Sequence, residues 1–85
     1  MHIELKFFAS VREALGVSSE RIELPAGVTT VGGVREHLVA RGGAWSAALG
    51  GERALRTAFN HVMCDAGTEV KEGGEVAFFP PVTGG

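Results

Sequence analysis

Two glycines close the sequence, and of all its residues they are the best suited to chemistry. Gly84 and Gly85 follow the segment Pro80-Pro81-Val82-Thr83. Consecutive prolines favour an extended, semi-rigid arm, and glycine has no side chain that would obstruct a narrow site. A carboxylate on Gly85 could therefore enter a deep cleft of a partner protein. A frayed terminus is the alternative interpretation of such a tail.

The chemistry expected at Gly85 starts from the inertness of a carboxylate toward nucleophiles. Attack of this carboxylate on the α-phosphate of ATP would give an acyl-adenylate, and sulfide would convert the adenylate to a thiocarboxylate. Gly50-Gly51 and Gly73-Gly74 are isolated pairs that match neither a P-loop nor a dinucleotide-binding fingerprint. A separate enzyme would therefore have to bind the ATP.

Other residues of reactive type are too isolated to suggest a site. Cys64 is the single cysteine, which excludes a disulfide within the chain and a four-cysteine zinc site, and we interpret it as a small core residue. His2, His37 and His61 lack the spacing of metal ligands, so we expect no metal site. Because no acid, base and nucleophile converge, we expect no enzymatic activity from the chain alone.

Length, composition and charge narrow the class of protein. The chain has 85 residues, 45% of them hydrophobic and 21% charged, which is typical of one folded domain and not of a disordered chain. The net charge of −2 argues against a nucleic-acid partner. No apolar run approaches the roughly 20 residues of a membrane span, and the alternating N-terminus is not a targeting peptide. We therefore expect a cytoplasmic protein without a membrane partner.

Five strands are predicted from the alternation of apolar and polar residues. They cover residues 2–8, 20–24, 55–59, 62–64 and 75–79. The first two strands should form an antiparallel hairpin with a long connection. The first and last strands alternate most strongly, so we expect them to be neighbours at the centre of the sheet. Pro80-Pro81 should end the last strand, because proline has no amide N–H to donate.

Helices are predicted over residues 10–16, from Thr29 or Thr30 to about Arg41, and over residues 44–49. The first prediction rests on Ser10 and Glu13, which match a capping box. The long helix carries Val31, Val34 and Leu38 at helical spacing. The order of these elements predicts an α+β fold of the ubiquitin-like β-grasp type, with one long helix packed across a mixed sheet. Residues 1–79 would form this domain, and residues 80–85 its extended C-terminal Gly-Gly tail.

Three apolar residues fall on the outward phase of their predicted strands. They are Phe8, Met63 and Phe79. If the strands are neighbours, the three side chains form one exposed apolar patch beside the tail, and a contiguous patch is typical of a binding site. Coverage by a loop is the alternative. We predict that this patch contacts partners together with Pro80, Pro81, Val82 and Thr83.

Several segments of the sequence resemble one known family. They are Leu5-Lys6-Phe7-Phe8-Ala9, Val11-Arg12-Glu13 with Gly16, Ala58-Phe59-Asn60, and the long run from Gly74 to Gly85. In these segments the chain is similar to the small subunits of molybdopterin synthases, which are ubiquitin-like sulfur carriers. The likeness spans the whole chain, and its most specific part is the C-terminal run.

This resemblance implies a role for Gly85 and for the tail that carries it. Gly85, with Gly84 before it, would be adenylated by a ubiquitin-activating-like adenylyltransferase that uses ATP, and then converted to a thiocarboxylate. The chain itself would bind no cofactor. Its tail would enter the large subunit of the synthase and donate sulfur to cyclic pyranopterin monophosphate, forming the molybdopterin dithiolene. The expected assembly is a heterotetramer with two copies of each subunit.

Two other functions remain open for a β-grasp protein with this tail. A ubiquitin-like protein modifier would join its terminal glycine to lysines of many targets. A sulfur carrier for thiamine thiazole synthesis would use the same thiocarboxylate chemistry. The run Phe78-Phe79-Pro80-Pro81-Val82-Thr83 favours the molybdopterin pathway over the thiazole pathway.

Overall fold

The computed structural model describes residues 1–81, which form a five-stranded sheet and three helices. The strands are β1 (His2–Phe7), β2 (Ser19–Glu23), β3 (Arg56–Phe59), β4 (Val62–Cys64) and β5 (Glu75–Phe79). The helices are α1 (Ala9–Leu15), α2 (Val31–Val39) and α3 (Gly43–Leu49). Each predicted strand and helix is present, with bounds that differ by at most two residues.

The sheet is mixed, with strand order β2-β1-β5-β3-β4. β1 and β5 lie at its centre and run parallel, whereas the β1–β2, β3–β4 and β3–β5 pairs are antiparallel. The predicted hairpin of β1 and β2 and the predicted central pairing of the first and last strands are therefore confirmed. Because β5 is paired on both sides, the residue that follows it is held at the middle of one sheet edge.

One face of the sheet packs against α2 to form the core. Ile3, Leu5 and Phe7 of β1 are buried, as the alternation predicts, and Phe78 of β5 stacks on Phe7 with ring centroids 6.0 Å apart. From α2 the core takes the three residues predicted at helical spacing, Val31, Val34 and Leu38. Each such side chain stabilises the fold by about 1.5–3 kcal/mol relative to an exposed position.

The start of α1 differs from the prediction. Ser10 was expected to cap it, but the helix begins at Ala9, Phe8 occupies the N-cap position, and no side chain caps the helix. The physical reason is that the Phe8 amide donates to the carbonyl oxygen of Phe78 (3.1 Å), which fixes the end of β1 against β5. The Phe8 carbonyl oxygen then accepts from the amides of Val11 and Arg12 (3.1 and 3.3 Å), so the first turn of the helix starts from Phe8. Gly16 ends α1 in the left-handed region at φ 77°, as predicted.

The long helix α2 is capped by Thr30, whose side chain accepts a hydrogen bond from the Gly33 amide at 3.1 Å. This confirms one of the two predicted caps. The helix ends at Val39 and not near Arg41, because the chain leaves it through a tighter turn and then passes through Gly42 at φ 77°. The early end frees Arg41 to reach another element.

Arg41 joins three elements through one side chain. Its Nη1 and Nη2 atoms donate to the two carboxylate oxygens of Glu20 at 2.9 and 2.6 Å, and its guanidinium lies 4.4 Å from the ring centre of Trp45. The hydrogen bonds from Arg41 lower the pKa of Glu20, and those to Glu20 raise the pKa of Arg41. The pair therefore ties β2 to α3 by way of the end of α2.

We expect the change Glu20→Gln to lower the melting temperature at neutral pH. An ion pair of this exposure contributes about 1 kcal/mol at most, which corresponds to about 4–8 °C in a domain of this size. Because the folded-state pKa of Glu20 is lowered, its contribution is present above the unfolded-state pKa and is lost as the pH falls through the folded-state pKa. Thermal melts of both proteins from pH 7 to pH 2 should therefore converge at the acid end. A constant difference across that range would contradict the assignment.

Candidate functional site

The root of the tail lies at the end of the central strand β5. Pro80 and Pro81 follow Phe79 directly and are half-buried, and strand pairing stops before them, as predicted. The remaining residues of the predicted tail site, Val82, Thr83, Gly84 and Gly85, lie outside the described residues. The chemistry expected at Gly85 thus stays a prediction. The described residues show the surroundings of Pro80-Pro81, where the tail begins.

On the face of the sheet away from the core, register brings four strands together. Lys6 of β1 is paired with Ala77 of β5, Ala77 with Ala58 of β3, and Ala58 with Met63 of β4. These four residues form a row across the sheet. The sequence analysis placed Met63 on this outward phase but did not single out Lys6, Ala58 or Ala77, because it could not fix the register of β3 against β5.

The two aromatic residues of the predicted patch stand next to this row. Phe8 and Phe79 meet edge to face, with ring centroids 6.3 Å apart. Phe8 is 46% exposed and Met63 is 51% exposed, whereas Phe79 is half-buried. All three line a single hollow of about 540 Å³ on this face. The structure therefore brings the predicted patch residues together, and their role in partner binding stays a prediction.

The backbone has positive φ angles at both ends of this hollow. Ala9, directly after Phe8, has φ 51°. At the other end, Asn60 and His61 form the two-residue turn between β3 and β4 with φ values of 49° and 68°, as a type I′ hairpin requires. Glycine is preferred at such positions. Asn60 and His61 are of types that tolerate this region and fit the turn, whereas alanine rarely adopts it, so the φ of Ala9 supports a functional role for the hollow.

Charged groups complete the rim of the hollow. Glu75 and His61 lie on one side, with Nδ1 of His61 3.6 Å from a carboxylate oxygen of Glu75. Asn60 fixes this corner, because its side-chain oxygen accepts from the Glu75 amide at 2.9 Å. Lys6 lies on the rim, half-buried, and makes no ion pair within residues 1–81. The rim thus presents one unpaired cation beside an apolar hollow.

A larger hollow, of about 680 Å³, lies between α2 and the β3–β4 hairpin. Its lining includes Cys64 and Arg35, but Arg35 donates to the carbonyl oxygens of Leu49, Gly50 and Arg53 at 2.6–2.8 Å and so caps the end of α3. The exposed Arg56 also lines this hollow, but of the predicted patch only Met63 does, and Phe79 and Pro80 at the root of the tail do not. We therefore place the candidate site on the outer face beside the tail and not in this hollow.

The remaining residues of reactive type, Cys64 and His2, are in contact with other residues of the fold. Cys64 is half-buried and packs against the core, and its Sγ lies 3.7 Å from Oγ1 of Thr57, in agreement with its interpretation as a small core residue. His2 lies 3.7 Å from Glu23 and 3.6 Å from Glu72. Within residues 1–81, no group of three or more potential ligands is arranged to hold a metal ion.

The helices of the same part of the chain are all too short or too polar to cross a membrane.

Comparison with known proteins gives one family and closely related sequences. The model of the ThiS family matches residues 5–85. Relatives from Haemophilus influenzae and Escherichia coli are 42% and 40% identical to the chain. Each match covers 98% of this chain and 99% of the relative, and both relatives are named molybdopterin synthase sulfur carrier subunit.

Solved structures show the same fold. SAMP1, a small archaeal modifier protein of Haloferax volcanii, has a TM-score of 0.80 and 29% identity, with 100% of both chains covered. A chain from the complex of subunits 1 and 2 of the Helicobacter pylori molybdopterin-converting factor has a TM-score of 0.69 and 24% identity, again with 100% of both chains covered. The second likeness is one of fold. These neighbours confirm the predicted ubiquitin-like β-grasp.

Proposed function

Because the chain belongs to the ThiS family, we propose that it is the sulfur carrier subunit of a molybdopterin synthase. The observation that carries this proposal is the 42% identity, over nearly the full length of both chains, to a relative of that name. The described structure supports it with an apolar hollow next to the root of the tail. A carrier needs both parts, a reactive end and a surface by which larger enzymes hold it.

The reaction proposed for Gly85 proceeds in two stages. A carboxylate oxygen attacks the α-phosphate of ATP on an adenylyltransferase, pyrophosphate leaves, and a sulfur donor then displaces AMP to give the thiocarboxylate. In the synthase, this sulfur passes to cyclic pyranopterin monophosphate, and water restores the carboxylate. Because the dithiolene of molybdopterin contains two sulfurs, two carriers in the thiocarboxylate form act for each product. This chain binds neither ATP nor another cofactor in the proposal.

The partners in the proposal are the large subunit of the synthase and a ubiquitin-activating-like adenylyltransferase. Both would hold the chain by Phe8, Met63 and Phe79 and receive the arm that begins at Pro80-Pro81. Docking beside the root of the arm aims the tail and reduces the entropy lost when the tail enters the partner. We propose a heterotetramer with two copies of each subunit, in which each carrier serves one large subunit.

The intact mass of the protein isolated from cells tests the proposal most directly. We expect a fraction of the chain to be heavier by the difference between one sulfur and one oxygen atom, with the change located on Gly85. The purified thiocarboxylate form should make molybdopterin from the pyranopterin precursor when the large subunit is added, and should make none alone. Molybdopterin formation by the chain alone, or by the carboxylate form with the large subunit, would contradict the proposal.

The likeness to SAMP1 favours a protein modifier as the second candidate. A modifier would be attached through Gly85 to lysines of many proteins and would give a ladder of conjugates on a denaturing gel. A sulfur carrier gives a single band with the sulfur-dependent mass change. A carrier for thiazole synthesis would share that mass change, and it is distinguished because its loss creates a requirement for thiamine and spares molybdopterin.

A further inference from the structure

The floor of the outer-face hollow consists of two alanines. Ala58 and Ala77 are direct register partners on β3 and β5, and they are 7% and 6% exposed. Larger side chains surround them, with Phe8 and Phe79 on one side and Met63 on the next strand. Two small residues side by side among large ones leave a recess in what would otherwise be a filled surface.

Alanine is an unexpected residue at these positions. Strands favour β-branched and aromatic residues, and alanine is depleted in them. Both positions lie on paired strands, where a larger side chain would cover Phe8, Phe79 or Met63 and reduce exposed apolar area. A local preference that is broken at two adjacent positions without a gain in packing is typical of a functional site. The positive φ of Ala9, directly after Phe8, leads to the same conclusion, because alanine rarely adopts such an angle.

The charge on the rim constrains what can fill the recess. Lys6 is the register partner of Ala77 and makes no ion pair within the described part of the chain. Glu75, on the same rim, is already next to His61. An occupant that covers Lys6 must therefore bring an acceptor for its ammonium group, since a buried and unpaired charge is costly.

We propose that the Ala58–Ala77 recess is a socket for one large apolar side chain of the synthase large subunit, flanked there by a carboxylate that pairs with Lys6. This inference rests on the proposed function, because it takes the partner from it. It goes beyond a general apolar contact in assigning the fit to the two alanines, and it specifies the chemistry of the partner's surface. The apolar side chain supplies affinity at the centre, and the carboxylate supplies orientation and association rate.

Filling the socket tests the proposal. Ala77→Leu and Ala58→Val should each weaken binding to the large subunit at least about 30-fold, the change expected for loss of an anchor at the centre of an interface. Ala47→Leu is the matched control, because Ala47 is exposed on α3, away from this face, and we expect binding within about twofold of the wild type, as for a surface substitution.

The partner's carboxylate is tested by Lys6→Gln. This change should lower the association rate and reduce the dependence of binding on salt. Its thermal melt should stay within a few degrees of the wild type, because Lys6 makes no ion pair within residues 1–81. The two socket variants, Ala77→Leu and Ala58→Val, lie on different strands, so the socket can still be tested if one of them folds poorly. Ala58→Val should fold, because valine is well suited to a strand.

The outcomes separate the socket from the function. If the wild-type chain binds the large subunit and folded Ala77→Leu and Ala58→Val bind equally well, the socket is wrong and the proposed function stands. If the wild-type chain does not bind the large subunit at all, the proposed function fails and the assigned occupant with it. If the wild-type chain self-associates and Ala77→Leu makes it monomeric, the recess accepts a second copy of the chain, and the proposal is overturned.

Discussion

Removal of Gly85 should abolish sulfur transfer and leave the thermal melt unchanged. The reacting group in the proposed function is the carboxylate of this residue, so a chain that ends at Gly84 presents the carboxylate one residue short of the site that must adenylate it. The fold should not respond, because Gly85 lies well beyond the end of β5 at Phe79. The measurements are AMP transfer by the cognate adenylyltransferase and a thermal melt of the same sample.

An extra residue after Gly85 should have the same effect as its removal, because it replaces the carboxylate by an amide. The matched control is an extra residue before Met1, which is exposed and distant from the tail in the sequence. That extension should change neither adenylation nor melting. A shortened chain that still accepts AMP and sulfur would contradict the role of Gly85, and a shortened chain that loses its cooperative melt would contradict its independence from the fold.

The second large effect is expected from two adjacent phenylalanines that face opposite sides of β5. Phe78 is fully buried against Phe7, so Phe78→Ala should cost about 3–5 kcal/mol of unfolding free energy. That is a large part of the stability of a small domain, and the melting temperature should fall by at least about 12 °C. Affinity for the partners, measured under conditions in which the variant is folded, should change little.

Phe79→Ala should show the reverse pattern. Phe79 is half-buried and meets Phe8 edge to face, so its loss should cost about 1 kcal/mol of stability. Binding to the large subunit and to the adenylyltransferase should weaken by about 2 kcal/mol or more, because Phe79 lies between the socket and the root of the tail. Each variant is the control for the other. Partner binding unchanged in Phe79→Ala would remove the aromatic pair from the interface.

Much of this fold could be predicted from the sequence because one face of each strand is buried. A shift of one residue in β1 would expose Ile3, Leu5 and Phe7 together, so the period-two alternation specifies both the strand and its inward face. The same alternation predicted which face Phe8, Met63 and Phe79 share. These are statements about single strands, and they hold wherever a strand covers a core.

Features that depend on pairing between distant strands could not be predicted in this way. Ser10 and Glu13 form a good local capping signal, but the hydrogen bond from Phe8 to β5 decides where α1 begins. The recess required the register of β3 against β5, which places Ala58 beside Ala77. Their outward phase is visible in the sequence, and two small outward residues on neighbouring strands would have been the signal to look for.

The parallel pairing of β1 with β5 has a consequence for how the protein is made. The centre of the sheet joins the first strand of this fold to its last, so β1 lacks this partner until β5 has been synthesised and has left the ribosome. Contacts of this sequence separation close slowly and are characteristic of slower folding. A chain interrupted before β5 lacks the strand on which both β1 and β3 pair, and it would expose apolar surface to proteases and chaperones. The fold is thus completed only after synthesis has reached Pro80-Pro81, where the tail with the proposed chemistry begins.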